Sequence, residues 1–286
     1  MDIVKINHLA KSYGKSRGIV DVSFGIGQGE FFGFIGPNGA GKSTTIRILL
    51  GLISADSGEA FVLGKPLSKA SEYLADIGYL PSEANFYNAM KVDELIKYSA
   101  KLRGKECDKE AKELCDRLEL DTKKKISELS LGNRKKVGIV CAMQHKPQLY
   151  IMDEPTSGLD PLMQNEFFSL LNERRKEGAT VFFSSHVLSE VQQNCTRAAI
   201  IREGNIVAVD SIENLSKTRA KRVILHGINS LPDAIQAKSV EATNTSVAFL
   251  YQGDIKNLIL EIGRLPITDM TITEPKLEEI FMHYYE

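Results

Sequence analysis

Gly36-Pro37-Asn38-Gly39-Ala40-Gly41-Lys42-Ser43-Thr44 is the stretch that decides the fold. Glycines at this spacing let backbone N–H groups curl around phosphate oxygens, and a helix starting just behind them adds the positive end of its dipole. Lys42 stands where an ammonium reaches the β- and γ-phosphates of a nucleotide, and Ser43 where a hydroxyl binds Mg2+. Gly36, Asn38, Gly39, Gly41, Lys42, Ser43 and Thr44 are therefore the first candidate binding residues. Immediately before them, Glu30-Phe31-Phe32-Gly33-Phe34-Ile35 reads as a buried strand. Immediately after, Ile46, Leu49 and Leu50 mark a helix beginning near Gly41. Strand, glycine loop and helix is the context that gives the motif its meaning.

Further along, Leu149-Tyr150-Ile151-Met152-Asp153-Glu154 is a hydrophobic strand that delivers two carboxylates to its C-terminal end, the edge at which α/β sheets bind ligands. Asp153 is placed to hold Mg2+, directly or through water, and Glu154 to orient or deprotonate an attacking water. A helix from about Pro161 to Glu177, ended by Gly178, leads to another buried strand at Thr180 to Phe183 and then to Ser184-Ser185-His186. Alternation of this kind implies a parallel sheet. Residues 2 to 6 and 19 to 35, broken by glycines, read instead as antiparallel strands. Between about 84 and 146 the pattern is helical, with Leu95, Tyr98 and Leu102 on one face and Leu114, Leu118 and Leu120 later, as in a helical subdomain inserted into the α/β core. From about 216 the texture changes. Strands at 223 to 225, 247 to 250 and 270 to 273 and helices at 254 to 263 and 276 to 285 suggest a small α+β domain, so the expected domains are 1–215 and 216–286.

The chain has 286 residues, 43% hydrophobic and 26% charged, with a formal net charge of −1. That composition is a folded protein's, and it supplies no global basic field for nucleic acid, which is not an expected partner. Short basic runs at Lys123 to Lys125 and Arg134 to Lys136 read as solvated surface. Cys107, Cys115, Cys141 and Cys195 show neither C-x-x-C spacing nor a Cys/His cluster, so no zinc or redox role is expected. Apolar runs such as Phe31 to Ile35 fall far short of the about 20 residues that span a bilayer, and the first residues lack the layout of a signal peptide.

With these segments in view the chain resembles the ABC ATPase family. The Walker A, Walker B, D-loop and switch-histidine segments match residues 36 to 44, 149 to 154, 157 to 160 and 186, and the signature appears as Leu129-Ser130-Leu131-Gly132-Asn133. The resemblance spans about residues 1 to 215 and implies a phosphate-loop cassette with an antiparallel β subdomain and an inserted helical subdomain. It implies ATP and Mg2+ as cofactors and a head-to-tail dimer, in which Ser130 and the Gly132 backbone of one copy cap the γ-phosphate held by Lys42 of the other. By the same resemblance His186 senses the γ-phosphate, Tyr13 stacks on adenine, and Asp160 of the D-loop joins the nucleotide-binding set. Multi-span permease subunits on separate chains are the implied partners, which places the chain at the cytoplasmic face of the cell membrane. They would dock near Phe86 and Tyr87, although structural burial accounts for those aromatics equally well.

Two positions depart from the family pattern. Leu131 replaces the usual first signature glycine, and Ser82, followed by Glu83, stands where the family has a glutamine. Glu83 or a water then covers the contact to Mg2+ or the attacking water, so Ser82 and Glu83 join Ser43 and Asp153 as candidate metal residues. The single cassette, the Leu-Gly signature and the tail Glu274-Pro275-Lys276-Leu277-Glu278-Glu279-Ile280-Phe281 look like ATPases of ABC-2-type bacterial exporters of drugs, antimicrobials or peptides. The alternative is a soluble ABC ATPase acting in translation, repair or iron-sulfur assembly. A cassette that binds ATP without turnover is disfavoured, because Lys42, Asp153, Glu154 and His186 are all present.

Overall fold

The computed structural model describes residues 2–14, 16–216, 220–232, 234–273 and 275. Its contacts divide the chain into two units, Met1–Ser211 and Ile212–Glu286. The first opens with β1 (Asp2–Tyr13) paired antiparallel to β2 (Ser16–Gly27). Val4 and Ile6 alternate inward, and a bulge at His8, with φ of 47°, shifts the register so that Leu9 is buried too. β3 (Phe31–Ile35) is buried along its whole length and runs through the glycine loop into α1 (Lys42–Leu49). β4 (Ser57–Val62) and β5 (Lys65–Pro66) return to the antiparallel limb, and β6 (Ile77–Leu80) leads into the inserted helices α2 (Val92–Leu102), α3 (Asp108–Arg117) and α4 (Leu131–Met143). Then follow β7 (Leu149–Asp153), α5 (Pro161–Lys176), β8 (Thr180–Ser185), α6 (Leu188–Asn194), β9 (Arg197–Arg202) and β10 (Asn205–Ser211).

Ten strands make one sheet in the order β5-β4-β1-β2-β10-β9-β3-β8-β7-β6. The run from β9 to β6 is parallel, as buried Val/Ile/Phe-rich strands alternating with helices require. The antiparallel limb is joined to it by aromatic packing: Phe24 of β2 stacks on Phe32 and tilts against Phe34, both on β3, at 5.3 Å between ring centres. Phe182 of β8 completes the cluster, 5.5 Å from Phe34.

The second unit contains α7 (Ile212–Ser216), β11 (Lys221–His226), β12 (Ala237–Ala242), β13 (Ser246–Tyr251), α8 (Ile255–Ile262) and β14 (Asp269–Thr273). Its strands form an antiparallel sheet in the order β12-β13-β11-β14. Val223, Leu225, Val247 and Phe249 pack with Leu258 and Ile262 of α8, whose first turn is capped by Asp254 accepting from the Lys256 N–H at 2.8 Å. The helix expected over 276–285 lies outside the described residues, as does most of the tail from Glu274.

In two places the inserted helices depart from the pattern read in sequence. On α2 the buried residues are Val92, Leu95, Ile96 and Ala100, whereas Tyr98 and Leu102 are exposed. The apolar arc is centred between Leu95 and Ile96, the side turned to α4, and Tyr98 falls on its rim, meeting Tyr87 edge-on at 6.4 Å. The basic run at Lys123 to Lys125 is exposed as expected, but that at Arg134 to Lys136 is not: Lys135 and Lys136 are buried. Packing of α4 against β6, α2 and α3 leaves it little solvent-facing surface, so basic composition does not mark an exposed face there. Charge also ties α3 to α5, where Arg117 grips Glu166 at 2.6 Å and Glu173 at 2.6 and 2.9 Å, and Arg174 pairs with Glu110.

His145, just beyond α4, has Nε2 3.2 Å from the Ile77 carbonyl of β6, and its Nδ1 has no partner among the described residues. Burial, helped by the charge of Arg103, pushes its pKa down from 6.5 to about 4. Because the folded value lies below the unfolded one, the unfolded chain takes up the proton first as pH falls. Stability is therefore lost between pH about 6.5 and about 4, by roughly 2–3 kcal/mol through this group alone. Urea midpoints measured at neutral pH and near pH 4.5 are expected to fall less in His145→Gln than in the parent chain.

Candidate functional site

The glycine loop takes its shape from backbone that only glycine adopts without strain. Gly39 has φ of 80° and Gly41 of 114°, both left-handed. Gly41 is also the N-cap of α1 and makes no side-chain cap, so the first N–H groups of the helix have no intrahelical acceptor and no competing oxygen from the cap. A neighbouring turn braces the loop: the Gly204 N–H donates to the Ala40 carbonyl at 3.0 Å, while the Gly204 carbonyl accepts from the Val20 N–H at 2.7 Å. Gly36 is pressed against β9, where an added Cβ would lie 2.5 Å from the Ile201 carbonyl oxygen. Nothing in the local motif foretells this bracing, since residues 20 and 204 are distant in sequence.

Lys42 is only 4% exposed. Its Nζ donates to the Gly36 carbonyl at 2.7 Å and the Pro37 carbonyl at 3.3 Å, and lies 3.1 Å from Glu154 Oε1. The other carboxylate oxygen of Glu154 lies 3.2 Å from His186 Nδ1, so one carboxylate bridges the phosphate-loop lysine and the histidine after β8. Parallel register brings these groups together, with β3 pairing β8 through Ile35 and Ser185, and β8 pairing β7 through Ser184 and Asp153. Asp153 is buried and accepts a 2.6 Å hydrogen bond from the Ser184 hydroxyl. Glu154 has φ of 46°, a left-handed backbone that costs roughly 1–2 kcal/mol, and its N–H donates to the Ser184 carbonyl at 3.1 Å. Ser184, quoted in the sequence only as a neighbour of His186, thus fixes both carboxylate positions.

The Thr45 hydroxyl is taken by the Gly41 carbonyl at 3.0 Å, whereas those of Ser43 and Thr44 have no hydrogen bond among the described residues. A Ser43 hydroxyl and an Asp153 carboxylate are hard oxygen donors of the kind Mg2+ takes. Among the described residues no group of three or more His, Cys, Asp and Glu is placed to hold a metal ion.

The remaining candidates lie away from this bridge or serve local roles. Ser130 caps α4, accepting from the Asn133 N–H at 3.3 Å, and no contact links it to Lys42 among the described residues. Asp160 caps α5, accepting from the N–H groups of Leu162 and Met163, each at 3.1 Å. Leu131 is 70% exposed, and Gly132 abuts the D-loop, where an added Cβ would lie 2.6 Å from the Gly158 carbonyl oxygen. Tyr13 is exposed at the end of β1. Ser82 is half-buried and Glu83 exposed, just after β6. Sequence reading missed Lys135, whose Nζ donates to the Pro81 carbonyl at 3.1 Å and the Ser82 carbonyl at 2.8 Å. Burial pushes its pKa down to about 8, against the opposing pull of the Asp153 and Glu154 carboxylates.

An uncapped glycine-loop helix facing carboxylates at the C-terminal edge of a parallel sheet defines a phosphate-loop nucleotide-binding cassette. The family model described as ABC transporter matches residues 19–157. The chain is 32% identical to the bacitracin transport ATP-binding protein BcrA of Bacillus licheniformis, over 98% of this chain and 96% of that protein. It is 31% identical to the linearmycin resistance ATP-binding protein LnrL of Bacillus subtilis (strain 168), over 98% and 97% respectively. A solved structure described as the ATP binding subunit of an ABC transporter matches with a TM-score of 0.71 and 29% identity, over 74% of this chain and 91% of the other. The chain belongs to the ABC transporter ATP-binding protein family: it is a transporter's ATP-binding, ATP-hydrolysing subunit. These relatives lend no support to the soluble alternative.

Because the atom facing Gly132 is backbone, Gly132→Ala cannot be absorbed by a side-chain rotation and must push the signature and D-loop segments apart. ATP binding, measured by equilibrium dialysis, is expected to stay within about twofold while steady-state ATPase falls by roughly tenfold or more.

Proposed function

We propose that the chain hydrolyses ATP at the Lys42, Asp153, Glu154 and His186 cluster and uses the cycle to drive the export of a drug, antimicrobial or peptide through separate membrane subunits. The observation that carries the assignment of the site is the Glu154 carboxylate held between Lys42 at 3.1 Å and His186 at 3.2 Å. In that position Lys42 and the free N–H groups of α1 bind the phosphates, and Glu154 orients and deprotonates the attacking water. Ser43 and Asp153 would hold Mg2+, with Ser82 and Glu83 as further candidates, and the ion would supply charge neutralisation at the β- and γ-phosphates. His186 reads the γ-phosphate, and Tyr13 lies against adenine.

Ser130 and Gly132 serve the nucleotide of a second copy, in a head-to-tail dimer that ATP closes and hydrolysis reopens. Asp160 supports that interface from the D-loop. The exposed Tyr87–Tyr98 pair, with half-buried Phe86 beside it, is the docking surface for the permease. No described helix is long and apolar enough to cross a membrane. In this reading the chain is held at the cytoplasmic face by the permease. Residues from about 216 onward form an accessory domain. Support for export comes from the two relatives, whose names state bacitracin transport and linearmycin resistance and whose likeness runs through 98% of this chain, second unit included.

Glu154→Gln removes the base while keeping shape, so ATP is expected to bind and turnover to fall by at least about a hundredfold, with a nucleotide-bound dimer visible by gel filtration. Near-normal turnover in that variant removes Glu154 from its assigned role. Gentle solubilisation from native cells followed by mass spectrometry is expected to recover a multi-span membrane protein with the chain. Recovery of soluble partners only overturns the permease assignment.

A further inference from the structure

Lys135 has no part in the bridge of Lys42, Glu154 and His186, yet its surroundings connect it to that edge of the sheet. It is 2% exposed, and a buried ammonium needs hydrogen-bond partners to keep its charge. The partners are the carbonyls of Pro81 and Ser82, which lead the chain out of β6. β6 is the strand beside β7, with Leu80 opposite Met152, so these carbonyls stand next to the end of β7 that carries Asp153 and Glu154. The lysine itself comes from α4, the helix whose N-cap is Ser130. One side chain therefore joins the signature helix to the loop flanking the carboxylates. An apolar side chain of equal length would fill the same space without the cost of desolvating a charge, so what lysine adds here is its donors and its charge.

We propose that Lys135 is a positioning residue for ATP hydrolysis, which, by holding the Pro81 and Ser82 carbonyls, transmits the position of α4 to the loop beside Asp153 and Glu154. The short Ser82 side chain makes no hydrogen bond among the described residues, and the segment is held by its carbonyls instead. Movement of α4 as its N-cap engages a nucleotide is thereby carried to the carboxylate edge through a charge-assisted contact and not through apolar packing alone.

This inference rests on ATP being hydrolysed at Asp153 and Glu154, and the experiment separates the two. The full-length chain is compared with Lys135→Met, Lys135→Arg and Glu154→Gln for kcat and KM with ATP, and for thermal unfolding by circular dichroism. Lys135→Met is expected to remain folded, to keep KM within about threefold, and to lose roughly ten- to a hundredfold in kcat. Lys135→Arg, which retains charge and donors, is expected to recover kcat to within about threefold of the parent. A Lys135→Met kcat within about twofold of the parent, or equal losses in Met and Arg variants, overturns the proposal, provided that Glu154→Gln is inactive. An active Glu154→Gln instead overturns the assignment of the site. If Lys135→Met does not fold, the same comparison between Lys135→Gln and Lys135→Arg decides: unequal kcat supports the proposal and equal kcat removes it.

Discussion

A lysine ammonium that is almost wholly buried must be compensated on every side, and the cassette is arranged around doing this for Lys42. The Gly36 carbonyl at 2.7 Å and the Glu154 carboxylate at 3.1 Å come from the ends of different strands. The first contact is internal to the glycine loop, whereas the second exists only if β3, β8 and β7 lie in parallel register with their C-terminal ends level. The sheet is thus not a passive support. Its order places a cation from the glycine loop against an anion two strands away, in surroundings where such attraction is little screened by water.

Around this pair the polar groups are shared out so that few are idle. Ser184 donates to Asp153 through its hydroxyl and accepts from the Glu154 N–H through its carbonyl, which sustains the left-handed backbone at Glu154. The Ser185 hydroxyl accepts from the Val187 N–H at 2.9 Å and donates to Glu190 at 2.8 Å, fixing the turn that presents His186. Meanwhile the first N–H groups of α1 receive no side-chain cap, and among the described residues the hydroxyls of Ser43 and Thr44 make no hydrogen bond, which leaves them open to phosphate and a hard cation.

The inserted helices are held by a different kind of contact. Apolar packing of α2 on α4 sets their arc, and the Arg117 fork onto Glu166 and Glu173 ties α3 to α5. Ion pairs of this geometry are directional, so they constrain angle as well as distance. Lys135 adds a third tether, reaching from α4 to the loop after β6.

Much of the cassette was legible because its chemistry is local. A glycine loop between a strand and a helix, a strand ending in Asp153 and Glu154, and a strand ending before His186 are each contiguous, and backbone conformation and hydrophobic period announce them without reference to the rest of the chain. Part of the second unit was legible in the same way, through the strand read at 247–250 and the helix after Asp254, whereas the exposed strand β12 (Ala237–Ala242) carries no such pattern and was not read. What depends on residues far apart was not. The brace of Gly204 on the glycine loop, the Ser184 hydrogen bond to Asp153 and the abutment of Gly132 on Gly158 are products of register and packing. The run Arg134 to Lys136 shows the difference most clearly. By itself a cluster of basic residues says solvent, because charge is costly to bury; only the packing of α4 between sheet and helices buries Lys135, and only the carbonyls of Pro81 and Ser82 make that burial tolerable.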